Sequence, residues 1–337
     1  MGKKEEEFAL IKKLELRNII QIAFILFMLH IGWQFYRFVT HFKTNGTTEF
    51  VQRPPSVESF LPISALIALK SWLANNVFDP IHPAGLTIFL AVLLISFMYK
   101  RGFCSWICPI GTSSEGLWKL GKRIFKRNLA LPKYIDWPLM LPKYLILAFF
   151  LKAILLGMNA TAATAFLNSP YNRIADAKML EFWINPGATT IKIMLVLVLL
   201  SIPLKNFWCR YLCPYGALLG LFGFFSPLGV TRDQEKCIKC GACSRACPNQ
   251  IKVDQGLRVD SVECTSCLDC IESCTPRALS LKILRTRTYI NPRYYPLLLL
   301  GTFFFVIFIA KATGHWETIL RYEDYRMLIP MMHMFSH

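Results

Sequence analysis

The chain is short of acidic residues and of histidines. Over 337 residues, 21 Asp and Glu stand against 38 Lys and Arg, a net charge of +17, and there are six histidines. No Cys-x-x-Cys-His sequence occurs, which excludes covalently attached c-type haem. No Walker-type phosphate loop occurs, and no nucleophile, base and orienting residue form a recognisable set, so hydrolysis and phosphoryl transfer have no support. No small-x-small cleavage site follows the first apolar run. Trp33, Tyr36 and Arg37 close that run as a membrane interface would, so it reads as a retained segment and not a signal peptide. No low-complexity linker appears. Twelve cysteines are present, and none lies outside four short motifs.

What is abundant is apolar. The chain is 54% hydrophobic with 26 phenylalanines and a mean hydropathy of +0.39, beyond what a soluble domain of this length needs. Five runs approach or reach the length that crosses about 30 Å of hydrocarbon, at 19–38, 84–100, 139–157, 188–204 and 294–312. A sixth stretch, 60–78, is interrupted by Pro62, Lys70, Asn75 and Asn76. Segments 1–17, 100–137 and 205–293 hold 26 Lys and Arg, against 8 in segments 39–83, 158–187 and 311–337. Five crossings, N-terminus inside and C-terminus outside, put every basic segment on the cytoplasmic side. The stretch 60–78 is then expected to lie in the outer interface. The acidic residues divide as 13 inside and 8 outside, so the inner segments are net +13 and the outer ones neutral. The basic balance is therefore a topology signal that also suits anionic lipid headgroups. It is no footprint of nucleic acid. The expected fold class is mainly α: a polytopic helical protein of the bacterial cytoplasmic (inner) membrane, with a small α+β module on the cytoplasmic side. The expected parts are a membrane domain over 1–229, the module over 230–284, and a last span with a short outer tail over 285–337. Arg285, Arg287 and Arg293 return the chain to the membrane.

The module carries the most specific pattern. Cys237-x2-Cys240-x2-Cys243-x3-Cys247-Pro248 is followed by Cys264-x2-Cys267-x2-Cys270-x3-Cys274, the doubled run of a two-cluster bacterial ferredoxin. The three close cysteines of a run wrap one [4Fe–4S] cube, and the fourth ligand comes from the other run. Cys237, Cys240, Cys243 and Cys274 are therefore assigned to one cluster, and Cys264, Cys267, Cys270 and Cys247 to the second. Zinc is the alternative occupant of paired Cys-x2-Cys motifs. The second run ends Cys274-Thr275-Pro276, with its proline displaced by one. The link 248–263, with Asn249, Asp254 and Gly256, suits a short β-hairpin ending near Val259. Such a module folds around its metal.

The other four cysteines belong to a repeat. Phe103-Cys104-Ser-Trp-Ile-Cys108-Pro109-Ile-Gly111 recurs 105 residues later as Trp208-Cys209-Arg-Tyr-Leu-Cys213-Pro214-Tyr-Gly216. Each copy follows an inward-running apolar run, so two half-units related by an axis along the membrane normal are expected. Cysteines four apart share a helical face, and proline disfavours helix at the residue before it, so each motif presents two thiols near a helix end. Cys104, Cys108, Cys209 and Cys213 form a candidate third iron–sulfur centre. Redox-active dithiols, a soft-metal site such as Cu(I), and plain buried cysteines are the alternatives.

No two spans each offer a well-placed histidine, so a b-type haem is not supported. A quinone slot needs only a few polar groups beside an apolar surface, and His82, His315, Asp79 and Lys70 near the outer interface are its candidates. Taken singly, each reads more readily as a helix-end anchor. The tail 313–337, with Trp316, Tyr322, Tyr325 and Met331-Met332-His333-Met334, is expected to be a partner-docking or disordered end and not a metal site.

Two Cys-x3-Cys-Pro motifs after apolar spans, then the eight-cysteine module and a last span, resemble the NapH family, the iron–sulfur membrane subunits of periplasmic nitrate reductase systems. The C-terminal half of the membrane partner of nitrous oxide reductase is similar too, although its N-terminal flavin-binding domain has no counterpart in this sequence. The resemblance covers roughly 85–285. It implies electron transfer between the quinone pool, cytoplasmic clusters and a periplasmic reductase or cytochrome. The chain is thus expected to be an electron-transfer subunit of a quinol-linked oxidoreductase complex and not a complete enzyme alone. A copper-reducing or metallocentre-assembly factor and a membrane redox sensor are the competing functions. A cytoplasmic donor such as an acidic ferredoxin or flavoprotein would be steered by the basic face.

Overall fold

Proline fixes where five of the helices start. The computed structural model describes residues 3–283 and 288–335, with backbone alone for residues 3–15 and 133; Arg285, Arg287 and His337 lie outside the described residues. The chain is mostly helical. In order it forms α1 (Lys3–Lys43), α2 (Pro62–Asn75), α3 (Pro83–Tyr99), α4 (Gly102–Trp106), α5 (Pro109–Phe125), α6 (Lys133–Leu151), α7 (Ala160–Asn168), α8 (Pro170–Arg173), α9 (Ala175–Ile184), α10 (Ala188–Ser201), α11 (Pro214–Phe224), β1 (Leu228–Arg232), α12 (Ala242–Ala246), α13 (Asp269–Glu272), β2 (Leu279–Ile283), α14 (Tyr295–Ala312) and α15 (Tyr322–Leu328). Proline opens α2, α3, α5, α8 and α11, because its missing N–H costs nothing in a first turn and its fixed φ already suits a helix.

Among the described residues, three helical stretches are long and apolar enough to cross a membrane: Leu16–Lys43, Tyr134–Leu156 and Pro292–Ala312. α9 and α10 make a fourth only if counted together across a 74° bend. The bend falls at Asn185-Pro186-Gly187, a turn sequence. The expected second span is the 17-residue α3. It ends at Lys100, whose φ of 58° is left-handed. α3 buries nearly every face, as a helix apolar all round does.

The chain divides into two compact units. The first comprises 1–25, 92–147 and 194–302 and holds all twelve cysteines. In it β1 pairs with β2 antiparallel, Leu228 opposite Ile283 and Arg232 opposite Leu279. The hairpin expected within 248–263 does not form. That link instead lays Arg258 against Thr231 as a single bridge, and the Val259 N–H donates to the Val230 carbonyl. Its turn residues are present, but its pairing partner lies far away in sequence.

The second unit comprises 26–91, 148–193 and 303–337. Ile31, Phe35, Phe38, Val39 and Phe42 form one face of α1 and pack with Val57, Ile174, Tyr325, Ile329 and Met332. The C-terminal tail up to Phe335 is therefore packed against α1 and not a disordered end. Tyr325, Ile329 and Met332 sit at helical spacing and are buried. α2 packs on α7 through Ile67, Ala68, Ala163 and Leu167.

Candidate metal centres

The eight cysteines of the module surround two cavities. Cys237, Cys240, Cys243 and Cys274 line the first. Cys247, Cys264, Cys267 and Cys270 line the second. Each loop curls because two left-handed residues bracket its middle cysteine: Lys239 and Gly241 around Cys240, Ser266 and Leu268 around Cys267. Gln250 and Arg277, three residues after each fourth cysteine, are left-handed as well. All these positions are offset by 27 residues. So are two sulfur contacts, the Ile251 N–H to Cys247 Sγ at 3.4 Å and the Ala278 N–H to Cys274 Sγ at 3.3 Å. The module is itself a duplication.

The two cavities differ in surroundings. Cys240 is exposed, and Ile238 beside it is 69% exposed. Arg232 Nη1 lies 3.5 Å from Cys237 Sγ and holds that thiol below its ordinary range. In the second cavity, burial pushes Cys247 up to about 11 and also raises Cys267 and Cys270. Closed, low-dielectric surroundings penalise a bare thiolate, so these sulfurs suit a cationic iron core.

The repeated motifs break their helix between the two cysteines. Cys104 lies in α4, and Cys108 is the extended residue (ψ 121°) that precedes α5. Cys209 lies in a π-helical turn, Trp208–Leu212, and Cys213 (ψ 105°) precedes α11. The Gly216 N–H donates to Cys213 Sγ at 3.2 Å, which satisfies one orphan donor of the new helix. The repeat's glycines follow from crowding. A Cβ on Gly111 would lie 2.0 Å from the Cys104 carbonyl oxygen. A Cβ on Gly216 would lie 2.8 Å from Arg101 Nη2 and 3.6 Å from Cys213 Sγ. The four thiols fall within one another's electrostatic reach. Burial raises all of them, Cys108 to about 12. Among the described residues no three His, Cys, Asp or Glu side chains converge on a single ion.

Both motif copies are tied to the loops of the second cavity. From the first copy, Ser105 Oγ donates to the Thr265 carbonyl (2.6 Å) and Trp106 Nε1 to the Ser266 carbonyl (3.2 Å). Arg101 pairs with Glu263 at 2.9 Å, and Lys143 and Tyr144 reach the other Glu263 oxygen at 2.6 and 3.0 Å. From the second copy, Lys205 donates to the carbonyls of Arg245 and Cys247, and Arg210 bridges Asp136 to the Asn249 carbonyl. Arg17 ties α1 to Glu115, Asp269 and the Cys267 carbonyl. Sequence reasoning missed these charged residues. Lys143 alone carried a signal, a cation inside an apolar span.

The quinone candidates separate in the second unit. Lys70 donates to the carbonyls of Ile154, Leu155 and Met158, so it closes a helix end. His315 is exposed against Phe78 and Thr313. Asp79 and His82 are buried. One Asp79 oxygen accepts from the Ile81 N–H, and the other has no hydrogen bond among the described residues. His82 Nε2 meets the Asn172 carbonyl at 2.6 Å, and Nδ1 stands 3.5 Å from Glu58. Glu58 and Asp176 share Arg53 at 2.8 and 2.7 Å. Burial raises Asp79 above the usual carboxylate range. Burial favours a neutral His82, yet the nearby Glu58 and Asp176 carboxylates together outweigh it and hold the imidazole above its ordinary value.

A helical chain with membrane-length apolar spans and clustered cysteines of this kind is a membrane iron–sulfur electron-transfer protein. Comparison with known families places it further. The 4Fe-4S binding domain matches residues 81–128 and 187–228, which are the two Cys-x3-Cys-Pro copies, and the 4Fe-4S dicluster domain matches 229–275. The protein named "Putative electron transport protein YccM" of Escherichia coli K12 is 39% identical over 328 residues, 95% of this chain and 91% of that protein. The ferredoxin-type protein NapH of the same organism is 24% identical over 62% of this chain and 71% of its own length. The regulatory protein NosR of Pseudomonas aeruginosa is 26% identical over 51% of this chain, but only 24% of its own length. No solved structure matches. The chain belongs to the NapH-like family of ferredoxin-type membrane iron–sulfur proteins.

Proposed function

We propose that the chain is a membrane-integral electron-transfer subunit with three iron–sulfur centres in a row, linking the quinone pool or a cytoplasmic donor to a partner oxidoreductase or cytochrome outside. Cys237, Cys240, Cys243 and Cys274 hold the first centre. Cys247, Cys264, Cys267 and Cys270 hold the second, and Cys104, Cys108, Cys209 and Cys213 the third. The clusters supply reversible one-electron uptake when bound; the protein supplies spacing, burial and charge. The observation that carries the reading is the attachment of both Cys-x3-Cys-Pro copies to the second-cavity loops, while the first cavity keeps Cys240 at the surface. That arrangement gives the row one open end and one end at the membrane segments.

In this reading five apolar runs cross the bacterial inner membrane, with the N-terminus and the ferredoxin module (230–284) in the cytoplasm and the C-terminus outside. The distribution of Lys and Arg supports that orientation. His82, which faces Glu58 and through it Arg53 and Asp176, and the buried Asp79 are the polar groups best placed to receive protons from a quinol at the outer side. Lys70 and His315 take supporting places at helix ends. The test is iron counting with EPR on the purified protein and on a Cys104→Ser/Cys108→Ser variant. Three centres in the first and two in the second are expected. Two in both would remove the third. The regulatory name of NosR favours a sensor as the second reading, and steady quinol-driven reduction at catalytic rates would exclude it.

A further inference from the structure

The buried charges beside the third site do not balance. Arg101 and Lys143 are 2% and 0% exposed, and both converge on the single carboxylate of Glu263. The nearby Arg210–Asp136 pair is neutral by itself. Arg101 and Lys143 leave one positive charge over, and the adjacent Lys100, 2% exposed and bonded to the Val259 carbonyl, adds another; enclosed cations are strongly unfavourable without an anion. Arg101 also keeps a buried Nε with no hydrogen bond among the described residues. Its guanidinium lies along Gly216. A point 2.8 Å from its Nη2, where a Gly216 Cβ would stand, is 3.6 Å from Cys213 Sγ. The cation and the thiol therefore flank the same backbone.

The repeat singles out this cation. At the 105-residue offset Lys100 matches Lys205, but Arg101 matches Asn206. Lys205 is engaged by the carbonyls of Arg245 and Cys247. The second half-unit's guanidinium, Arg210, is already paired with Asp136, whereas Arg101 lies beside Cys213.

We propose that Arg101, held by Glu263 and backed by Lys143, is the positioning cation of the four-thiol centre and raises its reduction potential. This rests on the reading of Cys104, Cys108, Cys209 and Cys213 as ligands of an iron–sulfur centre. Four thiolates around an iron–sulfur core carry net negative charge, and one-electron reduction makes it more negative. A fixed cation favours the reduced state, so its removal lowers the potential. Removing Glu263's charge strengthens the cation and does the opposite. The two substitutions therefore act with opposite signs, which a loss of packing would not produce.

The experiment is an EPR-monitored redox titration of the purified, cluster-loaded full chain, with iron content measured on each sample. The signals of the eight-cysteine module serve as the internal reference. Arg101→Gln is expected to shift the third centre's reduction equilibrium at least tenfold toward the oxidised form, about 59 mV for one electron. Arg101→Lys should restore most of that shift, and Glu263→Gln should move the potential upward. If Arg101→Gln loses the third centre, Glu263→Gln and Arg101→Lys still decide the matter. An unmoved or lowered potential in Glu263→Gln overturns the proposal, as does an unmoved potential in Arg101→Gln at full iron content. A wild-type protein with no third signal removes the underlying reading instead, and the proposal with it.

Discussion

Replacing Arg53 by Met should be among the most damaging single changes in the second unit. The side chain is 5% exposed and pairs with Glu58 at 2.8 Å and Asp176 at 2.7 Å, side chains that are 0% and 2% exposed. Removing one partner of a buried pair costs about 3–5 kcal/mol, because the other charge is left uncompensated. Here two carboxylates are left, so the upper part of that range is expected. The contrast is Arg37–Glu49, where the Glu49 side chain is 79% exposed; Arg37→Met should cost about 1 kcal/mol or less. Thermal unfolding in detergent, followed by circular dichroism, measures both. The triple variant Arg53→Met/Glu58→Gln/Asp176→Asn should recover most of the loss, since a buried ion cluster replaced as a whole is often close to neutral. The pH dependence adds a signed check. His82 has a folded-state value above its ordinary 6.5, so its contribution is full below about pH 6.5 and fades as pH rises through the raised value. In Arg53→Met, His82 is the remaining cation facing Glu58 and Asp176, with Asp79 nearby, and this fading should steepen. Equal losses in Arg53→Met and Arg37→Met would show that burial does not set the cost of losing the cation.

Gly111→Ala places a Cβ 2.0 Å from the Cys104 carbonyl oxygen, so it should lower the iron content of the third centre, whereas Gly116→Ala, with nothing within 4 Å, should leave iron and spectra unchanged. A hydrophilic iron chelator should strip the first cavity, where Cys240 is exposed, before the second; EPR during the titration would show the order, and simultaneous loss would contradict it. Truncation after residue 320 removes the buried Tyr325, Ile329 and Met332 and should destabilise the second unit by several kcal/mol, at about 2–5 kcal/mol per large apolar side chain lost, read as a lower unfolding temperature with iron content retained.

The sequence carried the eight-cysteine module because ligand spacing is local: two residues between successive sulfurs dictate how the backbone must curl. The residues that perform the curling were less visible. Of the four left-handed positions beside Cys240 and Cys267, only Gly241 is a glycine; Lys239, Ser266 and Leu268 give no hint. The Cys-x3-Cys-Pro repeat announced a helix end but not that its second cysteine would precede a new helix. Arg53, Glu58 and Asp176 are spread over 123 positions and share no local pattern, so their cluster exists only after folding. The same holds for Val259, whose pairing partner is Val230 and not a neighbour across a short turn. In the tail, a mixture of aromatic and polar residues masked a short amphipathic helix whose buried positions appear only once α1 is beside it.

Two duplications, offset by 27 and by 105 residues, shape the cysteine-bearing unit, and what breaks them matters most. A two-fold ferredoxin module has two equivalent ends and no preferred direction. Here Arg17, Ser105 and Trp106 all bind the second-run loop at Thr265, Ser266, Cys267 and Asp269. The matching residues of the first run, Ile238, Lys239 and Cys240, are exposed. Docking therefore turns a symmetric module into one with a solvent end and an anchored end. In the repeated membrane motifs the break is Arg101 opposite Asn206. In the proposed three-centre reading, the first asymmetry sets the spatial order of the centres, and the second acts on the relative potential of the last. Order and potential together are what a one-way electron path requires, and neither follows from the cysteine motifs alone.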